Sequence, residues 1–538
     1  MNKEQIISPA LIRLLQKFQF DADRRNDEKD QTKIQVSTTI SKIAVVYEKI
    51  RNTIDYQEEH LLRKNTIKRI LKRRLLNTNQ PQALAKPLIL ELIRAGYLKN
   101  NEVPEIYISK IEEILLNYLT IREYLPRIYH EKDLSEINKW FIGIMAVEIE
   151  ETLMPPIKKD ALVELVYDQI KNNIVLTGVN YTEEQKSILL YLSIHKAINK
   201  SDAEILNYHL LRFFLPILPT ENDEVTEELI IQTVAEFKNL KQTIDWFIHN
   251  PINNSLHKTI QKIAVPYMIL EDFIEDHADS AYKKLLQTPY LEETVKQIAK
   301  KRYKESQNRL HRGAVRSIIY LFITKMLLVL LLEMPLDYYI ENQVNYLSLA
   351  INVLFPPVLM FLLALIIRVP SKKNTQKILQ DIMKIVYSQQ PEKLKIKIKG
   401  PTKSGSVMNI VFKFFYLILF AISFGLIIYF LRILEFNILS GFIFVLFLCL
   451  ISFFGTNLRQ TAKKYVVLNP RESFLNLILD LISLPILWVG KFISEKLSRF
   501  NFFVFVFDFI IEAPFKIVIE VFEEWLSFIR EKKEEIAT

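Results

Sequence analysis

The chain has 538 residues, of which 50% are hydrophobic and 24% are charged. Its net charge of +9 is unevenly placed: residues 1–310 carry 44 basic and 44 acidic side chains, whereas residues 311–538 carry 26 and 17. The single cysteine, Cys449, excludes an internal disulfide and a thiolate zinc site. Ten glycines in the whole chain disfavour glycine-rich phosphate loops and the broken helices of transporters.

The amino-terminal segment, residues 1–33, is predicted to be a polar lead-in. Its second half, FDADRRNDEKDQTK at 20–33, has too few apolar side chains to form a buried face. The first 20 residues contain no uninterrupted apolar stretch and no small-residue cleavage site, so no secretory signal is predicted.

Residues 34–215 and 226–310 are predicted to form two helical subdomains. Apolar residues recur at helical spacing, as they do between 106 and 119. Two patterns predict capping boxes that open helices, namely Thr182 with Gln185 and Ser201 with Glu204. The shortage of glycine for tight turns favours an all-α fold over a sheet.

A basic helix is predicted at residues 61–76, LLRKNTIKRILKRRLL, which hold seven basic residues and no acid. An inward apolar stripe would leave six basic side chains facing outward: Arg63, Lys64, Lys68, Arg69, Lys72 and Arg73. Such a face attracts lipid headgroups, RNA or an acidic protein surface. The alternative is that these charges neutralise acidic segments elsewhere in the same half, whose net charge is zero.

The acidic segment 271–279, EDFIEDHAD, is the clearest candidate for a metal site. Carboxylates at four-residue steps share a helix face, and two of them with His277 would suit a divalent ion. No Glu-x-x-His pair of the di-iron kind occurs in the chain, however. A solvated face, or a surface facing residues 61–76, is therefore favoured, and the same applies to Glu148, Glu150 and Glu151.

Four apolar stretches between 311 and 456 are predicted to span a bilayer, which requires about 20 apolar residues. They cover approximately residues 315–334, 347–367, 410–431 and 436–455. Basic flanks alternate with neutral or acidic ones, because the segment before the first span and the loop 368–409 are rich in Lys and Arg. The positive-inside rule then places the large amino-terminal region, this loop and the carboxyl terminus in the cytoplasm.

The loop 368–409 carries ten basic and two acidic residues. Residues 394–400, LKIKIKG, alternate strictly, which predicts a strand with Lys395, Lys397 and Lys399 on one face. These lysines are candidates for contact with an anionic membrane surface. The alternative is that their charge only determines the topology of insertion.

The carboxyl-terminal module, residues 457–538, contains a long apolar segment at 473–529 that charged residues and prolines interrupt. We predict amphipathic helices along the inner interface or a re-entrant hairpin. Two further spans are the alternative.

Lys325 lies near the middle of the first predicted span, where a cation costs roughly 2.5–3.5 kcal/mol on insertion scales. It is expected to pair with a polar group or to face a wet cavity. The candidate partners are Glu333, two helical turns further on, Asn352 in the second span, and Asp480, Asp508 or Glu512.

The sequence thus predicts a bacterial-type inner-membrane protein: all-α, multi-pass, with a large amino-terminal helical domain in the cytoplasm. It lacks GxGxxG, HExxH, GxSxG and EF-hand motifs, so no catalytic residue, cofactor or metal is predicted, and nucleic acid is not an expected partner. The leading hypothesis is a non-enzymatic membrane-anchored scaffold that contacts anionic lipid headgroups and a cytoplasmic protein. A transporter using Lys325 is the first alternative, and a membrane-bound enzyme is the second.

Overall fold

A computed structural model of the chain describes residues 7–36, 45, 48, 58–127, 129–215, 227–278, 280–341, 346–365, 370–387, 396–400, 406–468, 474–499, 521, 525 and 529. These residues are mostly helical, as the sequence predicts. They divide into two compact units. The first contains the described residues up to Leu286, those from Ile385 to Gly400, and positions 521, 525 and 529. The second contains those from Gln287 to Lys384 and from Ser406 to Arg499.

The first unit is built from α-helices joined by short connections. In chain order they are α1 (Pro9–Asp27), α2 (Glu59–Arg74), α3 (Pro81–Arg94), α4 (Ile106–Tyr124), α5 (Glu131–Leu153), α6 (Ile157–Ile170), α7 (Glu183–Ile198), α8 (Ala203–Phe214), α9 (Glu227–Ile248), α10 (Asn253–Asp276) and α11 (Ala281–Leu285). Residues on one stripe of each helix form the core, as in α4, where Ile111, Leu115, Tyr118 and Leu119 are buried.

Helix α1 lies within the segment that the sequence analysis predicts to be a polar lead-in. Proline is favoured in the first turn, where Pro9 stands, and Leu11, Leu14 and Phe18 form a buried stripe that packs against α6. Asp21 is buried as well and is within ion-pair distance of Arg24 and Arg25. A short apolar stripe with one neutralised carboxylate is therefore enough to order this polar sequence.

The two predicted capping boxes have different outcomes. Thr182 accepts from the Gln185 amide and the Gln185 side chain accepts from the Thr182 amide, which confirms the first box. The second is wrong by one residue, because Asp202 caps α8 by accepting from the amides of Glu204 and Ile205. The Ser201 hydroxyl turns instead toward His195.

A strand is confirmed within the predicted segment 394–400. Strand β2 (Ile396–Lys399) pairs in parallel with β1 (Ile174–Thr177), so that Ile174 lies opposite Ile396. Ile398 is buried and Lys397 is exposed, in agreement with the alternating pattern. The pairing joins segments more than 200 residues apart, so no local pattern identifies β1 as the partner.

The second unit contains the longest and most apolar helices. They are α12 (Thr288–Leu328), which continues into a π-helical turn (Val329–Glu333), α13 (Met334–Glu341), α14 (Tyr346–Leu365), α15 (Lys372–Tyr387), α16 (Ser406–Ile433), α17 (Ile438–Ala462) and α18 (Phe474–Arg499). The last three residues of α15, from Ile385, belong to the first unit.

Four helices of this unit are long and apolar enough to cross a membrane, and they coincide with the four predicted spans. These candidate spans, numbered one to four, lie within Thr288–Glu333, Tyr346–Leu365, Ile410–Ile433 and Ile438–Gln460. Spans one, two and four meet in a buried apolar cluster of Ala314, Met360, Ala364, Ile443, Phe447 and Ile451. The alanines allow the helix backbones to approach closely.

Helix α18 packs along α17 rather than standing apart from the candidate spans. Gly490 faces the middle of α17, where a Cβ atom would clash with the Cys449 carbonyl oxygen. Only glycine permits this approach. The remainder of the predicted carboxyl-terminal module, from 500 onward, lies outside the described residues apart from three isolated positions.

Candidate functional site

The basic helix α2 directs part of its charge into the first unit. Arg63 and Lys64 are only 6% and 1% exposed, so the predicted outward orientation is wrong for these two residues. Lys68, Arg69 and Arg73 are partly exposed, and Lys72 is exposed. The apolar stripe alone did not define the buried face, because carboxylates on neighbouring segments draw basic side chains inward.

Each buried or half-buried base of α2 has a carboxylate from another part of the unit. The pairs are Arg63 with Glu150 at 2.6 Å, Lys64 with Glu204 at 2.6 Å and with Asp202, Lys68 with Glu204, Arg69 with Glu48 at 2.7 Å, and Glu91 with both Arg73 at 2.6 Å and Arg74 at 3.4 Å. Gly143 leaves space for this arrangement, since a Cβ atom there would lie 3.0 Å from the Glu204 carboxylate. This geometry favours internal neutralisation for most of the helix.

Glu150 shows the electrostatic cost of this packing. Burial raises its pKa to about 7, although the adjacent Arg63 guanidinium acts in the opposite direction. The pair therefore contributes less to stability than its short distance suggests, because two ions have been removed from water.

His60, in the first turn of α2, provides a pH-dependent test of this environment. Burial, and then the positive charge of Arg63, lower its pKa to about 4, so the folded protein keeps the ring neutral. An ordinary His, as in the unfolded chain, has a pKa near 6.5. The contribution of neutral His60 to the free energy of unfolding is therefore present above pH 6.5 and is lost as the pH drops toward 4, by about 1.5 kcal/mol between pH 6.5 and 5.

His60→Gln is therefore expected to flatten the acid side of the stability profile, measured by urea unfolding between pH 7 and pH 5. His249→Gln, at an exposed position, is the matched control. An unchanged profile in His60→Gln would contradict the assignment.

The three lysines predicted on the strand are only partly described. Lys397 is exposed on β2, Lys399 is its last residue, and Lys395 lies outside the described residues. Their contact with an anionic surface stays a prediction.

The acidic segment at the end of α10 faces α6 rather than α2. Glu271 is buried and pairs with Lys159 at 2.7 Å, and Glu275 lies 3.4 Å from Lys158. Among the residues that the structure describes, no group of three His, Cys, Asp or Glu side chains has a geometry suited to a metal ion. Glu148 accepts from the Tyr118 hydroxyl at 2.6 Å, and Glu151 lies 3.1 Å from His209.

A buried histidine cluster was not predicted. His195 Nδ1 lies 2.6 Å from the Ser201 hydroxyl, its Nε2 lies 3.7 Å from Asp160, and the His195 and His209 ring centroids are 4.3 Å apart. Burial lowers the pKa of His195. It also acts against protonation of His209, but the Glu151 carboxylate outweighs it and raises that pKa.

Serine, histidine and aspartate in this order resemble the parts of a nucleophilic site. Here, however, Ser201 and His195 are 2% and 1% exposed, so a substrate cannot reach the hydroxyl in this conformation. Asp160 lies on α6, His195 lies on α7 and Ser201 lies in the turn before α8. The spacing of the three residues in the sequence matches no catalytic motif. The cluster connects α6, α7 and α8 as a hydrogen-bonded part of the core.

The second unit contains a buried polar network around Lys325. The Lys325 ammonium donates to Glu333 at 3.1 Å, and Glu333 also accepts from Asn352 at 2.5 Å and from the Ser440 hydroxyl at 3.1 Å. All four side chains are fully buried. The Lys325 ammonium also lies 4.9 Å from the centre of the Phe447 ring, a cation–π contact.

A π-helical turn, Val329–Glu333, follows Lys325 and ends at Glu333. A π-bulge adds one residue to a helical turn, so Glu333 takes the place of position i+7 relative to Lys325, on the same face of the helix. Pro335 follows directly; it has no amide hydrogen, and its ring would clash with the Leu331 carbonyl in a regular helix. The proline thus accounts for the local irregularity that aligns the ion pair.

A second buried amide, Asn374, joins three segments at the other ends of the candidate spans. It donates to the Tyr303 hydroxyl at 3.0 Å and to the Tyr465 carbonyl at 2.8 Å, and it accepts from the amide of Val467 at 2.8 Å. The Leu468 amide approaches at 3.3 Å. Tyr303 precedes span one, Asn374 follows span two and residues 465–468 follow span four, and no motif in the sequence indicated this junction.

Comparison with protein-family models, curated proteins and solved structures finds no match for this chain.

Proposed function

We propose that the chain is a multi-pass integral membrane protein of the bacterial inner-membrane type. It anchors a helical cytoplasmic domain and acts as a non-enzymatic scaffold. The observation that carries this proposal is the exposure of large apolar side chains along the candidate spans. In span three, Ile410, Phe412, Phe415 and Leu417 are each more than half exposed. Soluble monomers rarely expose contiguous apolar patches of such extent, whereas lipid tails cover them.

The Asn374 junction supports the proposed orientation. It connects the segment before span one, the loop after span two and the segment after span four. These are the segments that the positive-inside rule assigns to the cytoplasm. Because these segments are hydrogen-bonded to one another at one end of the bundle, they lie on the same side of the membrane. This agrees with two crossings between the first segment and the second and two between the second and the third.

A scaffold is favoured over an enzyme because the basic residues of α2 and the buried histidines of the first unit are paired with other side chains of the same unit. The α2 bases pair with carboxylates, and the His195 cluster is closed to solvent. A folded helical domain held at the membrane in this way would bind a cytoplasmic protein or organise anionic lipid.

Two experiments test this proposal, a membrane fractionation and a cross-linking experiment. The protein should stay in the membrane pellet after alkaline carbonate and be released only by detergent, because its exposed apolar helices require a hydrophobic solvent. Cross-linking in membranes followed by purification should then capture a stoichiometric protein partner through residues of the first unit. Release by carbonate, or a chain that purifies without partner or bound anionic lipid, would contradict it.

Transport is the second candidate function, and the network around Lys325 is the observation that favours it. Intramembrane ionisable groups often mark ion pathways, and the Asn352 side-chain oxygen is buried without a hydrogen-bond partner among the residues that the structure describes. Transport predicts proton or monovalent-cation flux in proteoliposomes that is lost in Lys325→Ala. A scaffold predicts no flux in either protein.

A further inference from the structure

The basic residues of α2 and those next to the candidate spans differ in whether a carboxylate lies beside them. In the first unit, those on α2 lie against carboxylates of the same unit. Several exposed bases of the second unit have no carboxylate within ion-pair distance among the described residues, and four of them flank the candidate spans where these pack together: Arg312, Lys372, Lys373 and Arg459. We refer to these four as the basic rim.

Two sets of contacts bring the basic rim to one end of the bundle. Arg312 is two residues from Ala314, which belongs to the buried cluster between the candidate spans, and Arg459 is next to Leu458, which packs against that cluster. Lys372 and Lys373 directly precede Asn374, whose side chain binds the Tyr465 carbonyl shortly after span four. The four charges are thus gathered at the ends of spans one and four and just beyond span two.

The position of the two lysines increases the attraction for an anion. They occupy the first turn of α15, where the helix dipole is positive and a basic side chain is unfavourable. Adding a negative group would offset both the mutual repulsion of the lysines and this unfavourable placement. The rim lies next to exposed apolar helices, so the anion most readily supplied there is part of a lipid.

On these grounds we infer that the basic rim binds the phosphate headgroup of an anionic phospholipid. The inference rests on the proposed membrane insertion and goes further, because it moves the lipid-contact site from α2 and the β2 lysines to the ends of the spans. Clusters of basic residues next to a membrane helix recognise anionic headgroups, with about 1 kcal/mol for each Lys or Arg.

The test uses the full-length protein purified in detergent, so that its result does not depend on the orientation of insertion. Phosphatidylglycerol is titrated against the melting temperature, with phosphatidylcholine and inorganic phosphate in parallel. The rim variant replaces Arg312, Lys372, Lys373 and Arg459 with Gln. The control variant replaces Lys86, Lys139, Lys238 and Lys258 with Gln; these are exposed lysines of the first unit, so the same charge is removed.

Phosphatidylglycerol should raise the melting temperature of the wild type and of the control variant. Phosphatidylcholine and inorganic phosphate should not. The apparent affinity should fall about fivefold for each base removed, which corresponds to ~1 kcal/mol per base. Single variants Lys372→Gln and Lys373→Gln supply this measurement if the fourfold variant does not fold.

The inference is overturned if the rim and control variants respond equally, if inorganic phosphate stabilises as well as the lipid, or if the wild type does not respond. Flotation with vesicles separates this failure from that of the proposed function. A wild type that floats with phosphatidylcholine vesicles but shows no preference for phosphatidylglycerol contradicts only the rim. A wild type that does not float contradicts membrane insertion itself.

Discussion

Glu333→Gln is expected to destabilise the second unit by about 3–5 kcal/mol, because it leaves the buried Lys325 ammonium without its counter-charge. The Lys325 and Glu333 side chains are both fully buried, and the two charged groups are 3.1 Å apart. Lys325→Met should have an effect of similar size, since the carboxylate would keep the Asn352 and Ser440 donors but lose its cation.

The double variant Lys325→Met with Glu333→Gln is expected to recover most of this loss. Replacing a buried ion pair with uncharged groups is often close to neutral, because the desolvation cost disappears with the attraction. The measurement is thermal unfolding of the purified protein in detergent for all four members of the cycle. If the double variant loses the sum of the two single effects, the two residues are not coupled and the network has been assigned incorrectly.

Asn374→Leu is expected to be the next most damaging substitution, at about 3–5 kcal/mol. It removes the hydrogen bonds to the Tyr465 carbonyl and the Val467 amide together, and one of two hydrogen bonds of the Tyr303 hydroxyl, which also lies 3.3 Å from the Thr375 hydroxyl. A buried polar group left without a partner costs about 1–3 kcal/mol. Asn374→Asp should also destabilise the protein, because it keeps the acceptor for Val467 but places a buried carboxylate oxygen against the Tyr465 carbonyl oxygen.

The control for this series is Gln380→Leu, at an exposed position of the same helix, which should change stability little. Thermal unfolding is again the measurement. Equal stability of Asn374→Leu and the control would show that the junction does not hold these segments together.

The sequence predicted the features that depend on local pattern. Candidate spans one to four follow from uninterrupted apolar composition, and the Thr182 capping box and the 396–399 strand follow from short spacings. Lys325 was recognised as needing a partner because an isolated cation in an apolar helix is unfavourable.

What the sequence did not predict depends on contacts between distant residues. Arg63 and Lys64 were assigned outward, although Glu150 and Glu204 come from helices far along the chain. The role of Asn374 is invisible locally, since its partners lie 71 to 94 residues away. Ser201 was a reasonable cap, yet the carboxylate of Asp202 competes successfully for the same amides.

Sidedness labelling in intact cells tests the central claim most directly. Single cysteines are placed in a Cys449→Ser background at Lys139 in the first unit, at Lys373 after span two, and at Glu435 between spans three and four. The account predicts that a membrane-impermeant maleimide labels only the Glu435 position from outside, and that the other two react only after permeabilisation. Labelling at Lys373 from outside while Lys139 stays protected would contradict it.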